Sequence, residues 1–313
     1  MIVYGPVPSR RLGRSLGINN IPSKSCSYSC IYCQVGLTTN LTIDRKEFYK
    51  TDDIYSQVES KINQLTKSKE KVDYISFVPD GEPTLDINLG KTITRLKDFG
   101  IKVAVITNAT LITDKDVQDD LKLADWVSVK IDSVYKDIWH KTNRPHKNIN
   151  LDLILTGIKD FAANYKGTLV TETMLVEDYN SSIESLYKTS LFIKELNPNK
   201  VYMLVPIRPP AVKLKKTETD NLQTARQIYE TINSNFELID YNEGDNFVFC
   251  NNPEDELLSI IAVHPMRKDA VQAFLDKADI SWDVIEKLKS SNRIIETNFN
   301  GNSYFKNNNK EVI

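Results

Sequence analysis

The chain of 313 residues is poor in cysteine, with four, and in histidine, with three. Four cysteines in so long a chain are too few for a disulfide scaffold of the kind that staples small secreted domains. No run approaches the ~18 apolar residues that a membrane-spanning helix needs. The segment Met1–Arg14 has no apolar stretch and carries Arg10, Arg11 and Arg14 after a Pro-Val-Pro turn, so it does not read as a secretory signal. A cytoplasmic protein that does not enter a membrane is expected. An excess of one charge is also missing: 40 basic residues face 42 acidic ones, a formal net charge of −2. Such a balance creates no global field to draw in nucleic acid or an anionic membrane. No internal repeat is visible. What is present is ordinary globular material, 41% hydrophobic and 26% charged, enough for a sizeable core in one large domain or two smaller ones.

Short β-branched runs alternate with helical patterns. Strands are expected near Ser15–Asn19 and over Tyr74–Val78, Lys102–Asn108, Trp126–Asp132, Thr168–Val176 and Val201–Ile207. Helices fit at about 52–66, 86–98, 114–123, 150–164, 181–196 and 217–233. In the fifth helix Ile183, Leu186, Tyr187, Leu191 and Ile193 read as the apolar face. The alternation predicts an α/β protein with a parallel sheet, and six units favour an open, partial (β/α)6 barrel over a closed eight-unit one. Ligands then belong at the carboxyl ends of the strands. After about residue 245 the pattern changes to helix (Met266–Ala278), helix (Trp282–Lys289) and a hairpin around Asn300-Gly301, the pattern of a small winged-helix-like module. The division expected is 1–245 and 246–313.

Three of the four cysteines, Cys26, Cys30 and Cys33, lie within eight residues as CxxxCxxC. Three thiolates on one loop suit a soft metal centre. A four-iron cubane normally takes four cysteines, so three leave one iron open to a small molecule. A structural zinc completed by Cys250 or His264 is the alternative; otherwise Cys250 reads as a small buried hydrophobe.

The CxxxCxxC form, with aromatic Tyr32 before the last cysteine, resembles the radical SAM superfamily. The resemblance implies a single [4Fe–4S] cluster on Cys26, Cys30 and Cys33 and S-adenosylmethionine (SAM) bound to the open iron. An external electron donor such as flavodoxin or ferredoxin is implied as well. Asp80-Gly81-Glu82-Pro83, after the second strand, resembles the family's Gly-Gly-Glu motif that receives the SAM amino group, with Asp80 in place of the first glycine. Glycine permits close backbone approach, and a carboxylate accepts charge-assisted bonds from an ammonium. An ordinary strand-to-helix turn is the plainer reading of the same residues. Thr107-Asn108-Ala109 resembles the family's Thr-Asn-Gly turn.

In the fourth strand Trp126, Ser128, Lys130 and Asp132 share one face, expected inward. Ser128 or Asp132 would contact the SAM ribose, and Lys130 the substrate or the SAM carboxylate; a structural Lys–Asp pair is the alternative. Glu172 and Met174 share a face of the next strand, but that strand's pattern leaves open which side is inward. Arg144, in Asn143-Arg144-Pro145-His146, is expected to grip a carboxylate or phosphate or else to be a solvated loop arginine. His146 reads as a surface residue, and Arg208 closes the sixth strand. Lys130, Glu172 and Arg144 are the candidate catalytic residues. Tyr32, Asp80, Gly81, Glu82, Asn108, Ser128, Asp132 and Arg208 are the candidate cofactor contacts.

With Gly5-Pro6-Val7-Pro8-Ser9-Arg10-Arg11-Leu12-Gly13, Arg208-Pro209-Pro210 and His264-Pro265-Met266-Arg267, the chain resembles one uncharacterised family of iron–sulfur oxidoreductases, similar to the wyosine tRNA-modifying radical SAM enzymes. Those enzymes carry a second cluster, which one remaining cysteine cannot supply. The resemblance implies RNA as the first substrate to test, with a peptide or protein second. The rival class is a zinc-stabilised regulator that binds nucleic acid without catalysis. Against it, residues 262–313 hold eight Lys/Arg and seven Asp/Glu, too even a balance for a duplex-binding footprint.

Overall fold

A computed structural model describes residues 2–241 and 252–308. The chain opens with an antiparallel hairpin, β1 (Val3–Ser9) and β2 (Gly13–Ile18). A long connection follows, with the two-residue strands β3 (Ser25–Cys26) and β4 (Asn40–Leu41) and helix α1 (Thr51–Lys67). Strands and helices then alternate: β5 (Tyr74–Phe77), α2 (Leu89–Leu96), β6 (Lys102–Thr107), α3 (Lys115–Lys122) and β7 (Trp126–Lys130). Two helices, α4 (Lys136–Asn143) and α5 (Leu151–Asn164), lead to β8 (Thr168–Met174). After that come α6 (Ile183–Leu196), β9 (Lys200–Leu204), α7 (Thr219–Ile232) and β10 (Phe236–Ile239).

The sheet order is β1-β2-β5-β6-β7-β8-β9-β10. All neighbours from β2 to β10 are parallel. Successive strands are always adjacent, so every crossover steps the same way, as in a barrel; a doubly wound sheet would reverse direction. β1 and β10 share no ladder among the described residues, so the barrel is partial and open. The six expected strands all lie in this sheet, which extends one strand further at each edge. β1 escaped sequence reading because Pro6 and Pro8 interrupt it, and proline is tolerated on an edge strand. Side chains bridge the open side: Arg10 Nη1 at the β1–β2 turn donates to Tyr241 O, just past β10, at 3.2 Å.

Strand parity separates two layers. Val103, Val105, Val127 and Val129 join the main core under the helices. Ala104, Trp126 and Val170 pack with Leu12 in a second cluster, inside the sheet's curve. In α6 the buried residues are Ser185, Leu186, Thr189, Ser190, Ile193 and Leu196, a helical stripe that includes small polar residues. Ile183 (66% exposed) and Tyr187 (47%), read from sequence as part of the apolar face, lie outside it.

The C-terminal part comprises α8 (Pro253–Val263), β11 (Met266–Arg267), α9 (Lys268–Ala278), α10 (Asp283–Ser290), β12 (Ile294–Phe299) and β13 (Asn302–Asn307). The three strands form an antiparallel sheet of order β11-β13-β12. Asn300 and Gly301 both take positive φ (48° and 81°), as the two-residue turn demands. Leu257, Ile260, Val271, Phe274, Leu275 and Phe305 make a separate core, against which Val7 of β1 packs. The sequence-derived boundary at 245/246 lies outside the described residues.

Among the polar contacts that fasten this part to the barrel, Tyr304 Oη donates to Ile207 O at 2.6 Å, and buried Lys61 of α1 pairs with buried Glu256 of α8. Lys61→Met would leave Glu256 charged and unpaired in the interior, a change worth about 3–5 kcal/mol. The apparent unfolding midpoint in urea should fall accordingly, and Glu256→Leu added to it should recover much of the loss.

Candidate active site

The cysteine loop is held by backbone on both sides. β3 and β4 pair Ser25 with Asn40 and Cys26 with Leu41. On the other flank Ser29 N donates to Asn143 O (3.0 Å), Ile31 N to Thr142 O (3.0 Å) and His146 N to Ser27 O (2.9 Å). Cys26, Cys30 and Cys33 are unbridged, half-buried thiols lining one cavity of about 320 Å³. Amide groups point at two of them: Asn108 Nδ2 lies 3.5 Å from Cys26 Sγ, and Asn143 Nδ2 lies 3.5 Å from Cys30 Sγ. Burial and the nearby Asp132 push the Cys30 thiol up to about 12; burial and Glu82 raise that of Cys26, and burial raises that of Cys33. As free thiols they stay protonated, and a metal that takes thiolates has to displace those protons.

The end of β5 passes beneath this loop. Lys24 N donates to Asp80 O at 2.6 Å and Glu82 N to Ser25 O at 3.1 Å. A β-carbon at Gly81 would stand 1.8 Å from Ser25 O, so only glycine fits at that crossing. Buried Glu82 ties two strand ends together: Oε1 accepts from Thr84 N, Thr84 Oγ1 and Thr107 Oγ1, and Oε2 accepts from Asn108 N at 2.7 Å. Burial raises its pKa against those donors. Glu82 also caps the short 3₁₀ turn Pro83–Leu85, so the plain structural reading of this residue and its place in the cavity wall hold together. Asp80, buried near Ser23 and Lys24, is pushed up to about 7 by burial.

Across the cavity, Lys130 of β7 and Glu172 of β8 are register partners, which makes Glu172 and Met174 inward-facing. Glu172 pairs with Arg11 Nη1 at 2.5 Å and accepts from Ser128 Oγ at 2.6 Å. Burial pulls its pKa upward, but Arg11 and Lys130 more than offset this and hold the carboxyl below its ordinary value. The Lys130 ammonium lies 4.8 Å from the centroid of the Tyr32 ring. Arg208 lines the cavity too, bonded to Gln34 Oε1 (3.3 Å) and His264 Nε2 (2.8 Å). Burial, with Arg10 nearby, brings Arg208 down to about 9; burial and Arg208 lower His264 well below its usual value, so its ring is neutral.

Residues 20–189, which hold the cysteine loop, the Gly-Glu turn and most of the cavity, match the family model of the radical SAM superfamily. The chain belongs to that superfamily. It is 47% identical over 307 residues to a UPF0026 protein of Methanocaldococcus jannaschii, covering 97% of this chain and 95% of that one. It is similar in fold to TYW1 with a lysine-pyruvate adduct bound (TM-score 0.56, 18% identity, 74% of this chain and 77% of that one). Streptococcus suis SuiB bound to SAM is a second such structure (TM-score 0.52, 16% identity, 72% and 51%). As a radical SAM enzyme the protein uses a [4Fe–4S] cluster and SAM.

The residues of this radical SAM chain fit that cofactor pair: three thiols and a glycine-floored carboxylate turn open on one cavity. The zinc alternative fares less well. It would need His264 as a fourth ligand, and the ring nitrogen Nε2 of that residue is engaged with Arg208 at 2.8 Å. Cys250 lies outside the described residues.

Three sequence assignments need correcting. Arg144 does not reach the cavity: it is the exposed, left-handed cap of α4 (φ 47°), and its carbonyl accepts from Ser29 N. Asp132 and Ser128 do not line the cavity either, because both are spent within the protein. Asp132 accepts from Tyr32 Oη, Asn143 Nδ2 (2.6 Å) and Met174 N (2.8 Å), while Ser128 braces Glu172. Sequence reading passed over Asn143, which joins Cys30, Tyr32 and Asp132, and chose Arg144 beside it for its charge. It also passed over Arg11 as a partner of Glu172, since nothing local marks a pair 161 positions apart.

Gly81→Ala is expected to prevent reconstitution of the radical SAM cluster, read as lost iron content and visible absorbance, while helical circular dichroism stays near wild type. Retained absorbance would show that the loop can move off the glycine without harm.

Proposed function

We propose that Cys26, Cys30 and Cys33 ligate one [4Fe–4S] cluster with an iron open to SAM, and that the enzyme removes hydrogen from an RNA substrate. The observation that carries the reading is that all three thiols open on the cavity whose other walls bear Glu82, Lys130 and Glu172. When bound, the reduced cluster supplies the electron that cleaves SAM to methionine and the 5′-deoxyadenosyl radical that takes the hydrogen atom. Gly81 lets the backbone lie close under the loop, and the free side of Glu82 Oε2 receives the SAM ammonium. Asp80, Asn108, Tyr32 and Arg208 complete the bed for SAM. Lys130 and Glu172 face the substrate, Glu172 held as a carboxylate by Arg11 and Ser128. The cationic groups of Arg10, Arg11, Lys130 and Arg208 along one wall suit a phosphate-bearing substrate.

The C-terminal elements support a winged-helix-like module: three helices and a three-stranded sheet of order β11-β13-β12. Its even charge favours a second reading, in which it docks a peptide or protein substrate.

Anaerobic reconstitution, reduction and addition of SAM should yield 5′-deoxyadenosine. Cys33→Ala should lose both cluster absorbance and product, and Cys250→Ala should keep them. A colourless zinc protein that forms no product refutes the reading. Deuterium transfer from labelled RNA, and none from labelled peptide pools, would establish RNA as the substrate.

A further inference from the structure

We propose that the outer face of the cysteine loop is a docking surface for an acidic one-electron carrier protein; the inference rests on the reading that the loop holds the cluster. Reductive cleavage of SAM consumes one electron per event. Beyond the three cysteines only Cys250 remains, so the chain has no second cluster of its own to act as a relay. The electron therefore arrives from another molecule and crosses the protein at the cluster's nearest surface.

That surface has an uncommon charge for this protein. Three segments meet at the loop: 20–43, which contains it, 139–149, and 209–216. The second is bonded to it through Ser27, Ser29 and Ile31, and the third through Val212 N to Ile31 O at 3.2 Å. Their own residues include Lys24, Lys141, Arg144, Lys147, Lys213, Lys215 and Lys216 and no carboxylate, in a chain whose net charge is −2; Asp178, Glu177 and Glu218 border the face at Lys215. Among the described residues Lys215 pairs with Asp178 at 2.5 Å, and Lys24 faces buried Asp80. Lys141, Arg144, Lys147, Lys213 and Lys216 are exposed and form no ion pair among the described residues.

Within the same face, Leu37 (45% exposed) and Leu41 (40%) stand in the open just past Cys33. Leu41 is the register partner of Cys26. Apolar side chains amid a charged rim are the pattern of a protein interface. A nucleic-acid track would call for aromatic platforms among the cations, and this face has leucines. An acidic partner is steered by the cations and seated on the leucines. In the step itself the carrier is oxidised by one electron and the cluster reduced by one; no bond changes and no proton moves. This gives Arg144 a place that the cavity does not.

The test uses the reconstituted full chain and two reductants, photoreduced flavodoxin and dithionite, with stopped-flow bleaching of the cluster as readout. Arg144→Glu/Lys147→Glu and, separately, Lys213→Glu/Lys216→Glu are expected to slow bleaching by flavodoxin on the order of tenfold or more at low salt. Raising ionic strength should slow the wild type likewise, and Leu37→Glu should act in the same direction. Bleaching by dithionite should be unchanged in every variant, which shows the cluster intact. Flavodoxin rates insensitive to both charge reversal and salt overturn the proposal. If the variants lose RNA retention on a filter while flavodoxin rates hold, the face belongs to RNA and the proposal is overturned too. Failure of the wild type to show any cluster absorbance would instead defeat the reading under the proposed function.

Discussion

The carbonyl oxygen of Ser25 occupies the space that a β-carbon at residue 81 would fill. That contact sets the cysteine loop down on the carboxyl end of β5, and the rest of the site is arranged from it. Glu82, one residue on, donates its backbone N–H to the same carbonyl and spreads its carboxylate over Thr84, Thr107 and Asn108. Asn108 then turns its side-chain amide to Cys26 and Ser27. A chain of short contacts thus joins the ends of β5 and β6 to the first cysteine. The bonds to the Glu82 carboxylate and the Asn108–Ser27 bond are buried, where an unmade hydrogen bond costs most.

A second chain runs from the opposite side. Asn143, at the end of α4, bonds Cys30, Tyr32 and Asp132, and Asp132 holds the backbone of Met174. Tyr32 is therefore placed by its hydroxyl, while Lys130 lies over its ring. The loop is gripped at both ends by carboxylates, Glu82 through Asn108 and Asp132 through Tyr32 and Asn143, and of the two only Glu82 lines the cavity. The cationic groups then divide by location. Arg10, Arg11, Lys130 and Arg208 face the cavity, and Arg144 with the neighbouring lysines faces outward.

The C-terminal elements bear on the site as well. Gln34, next to Cys33, donates to Val263 O at the end of α8 and accepts from Arg208, which also bonds His264. The last turn of α8 is thereby part of the cavity wall. Tyr304 on Ile207 and Lys61 on Glu256 fasten the same elements to the barrel elsewhere. At the open side of the partial barrel, Arg10 of the β1–β2 turn reaches Tyr241 O just past β10.

The sequence by itself determined most of the barrel elements and, through the resemblance carried by its cysteine loop, the cofactor pair, while β1, α4, β10 and α8 escaped it. Six parallel strands, their helices, the Asn-Gly hairpin and the CxxxCxxC loop are all local signals, carried by periodicity, turn residues and ligand spacing. Alternation also assigned the faces of β7 correctly, since period two is a property of one strand. It left Glu172 open because a strand buried on both sides shows little alternation. Only the tertiary structure decided which inward residues reach the cavity and which are consumed beneath it. Asp132 and Ser128 had the right parity, but Tyr32, Asn143 and Glu172 claim them from far along the chain. Arg144 had the right residue type, but the left-handed cap of α4 puts it outside. Those outcomes depend on partners brought together by folding: Tyr32 stands 100 positions from Asp132 and Glu172 stands 44 from Ser128.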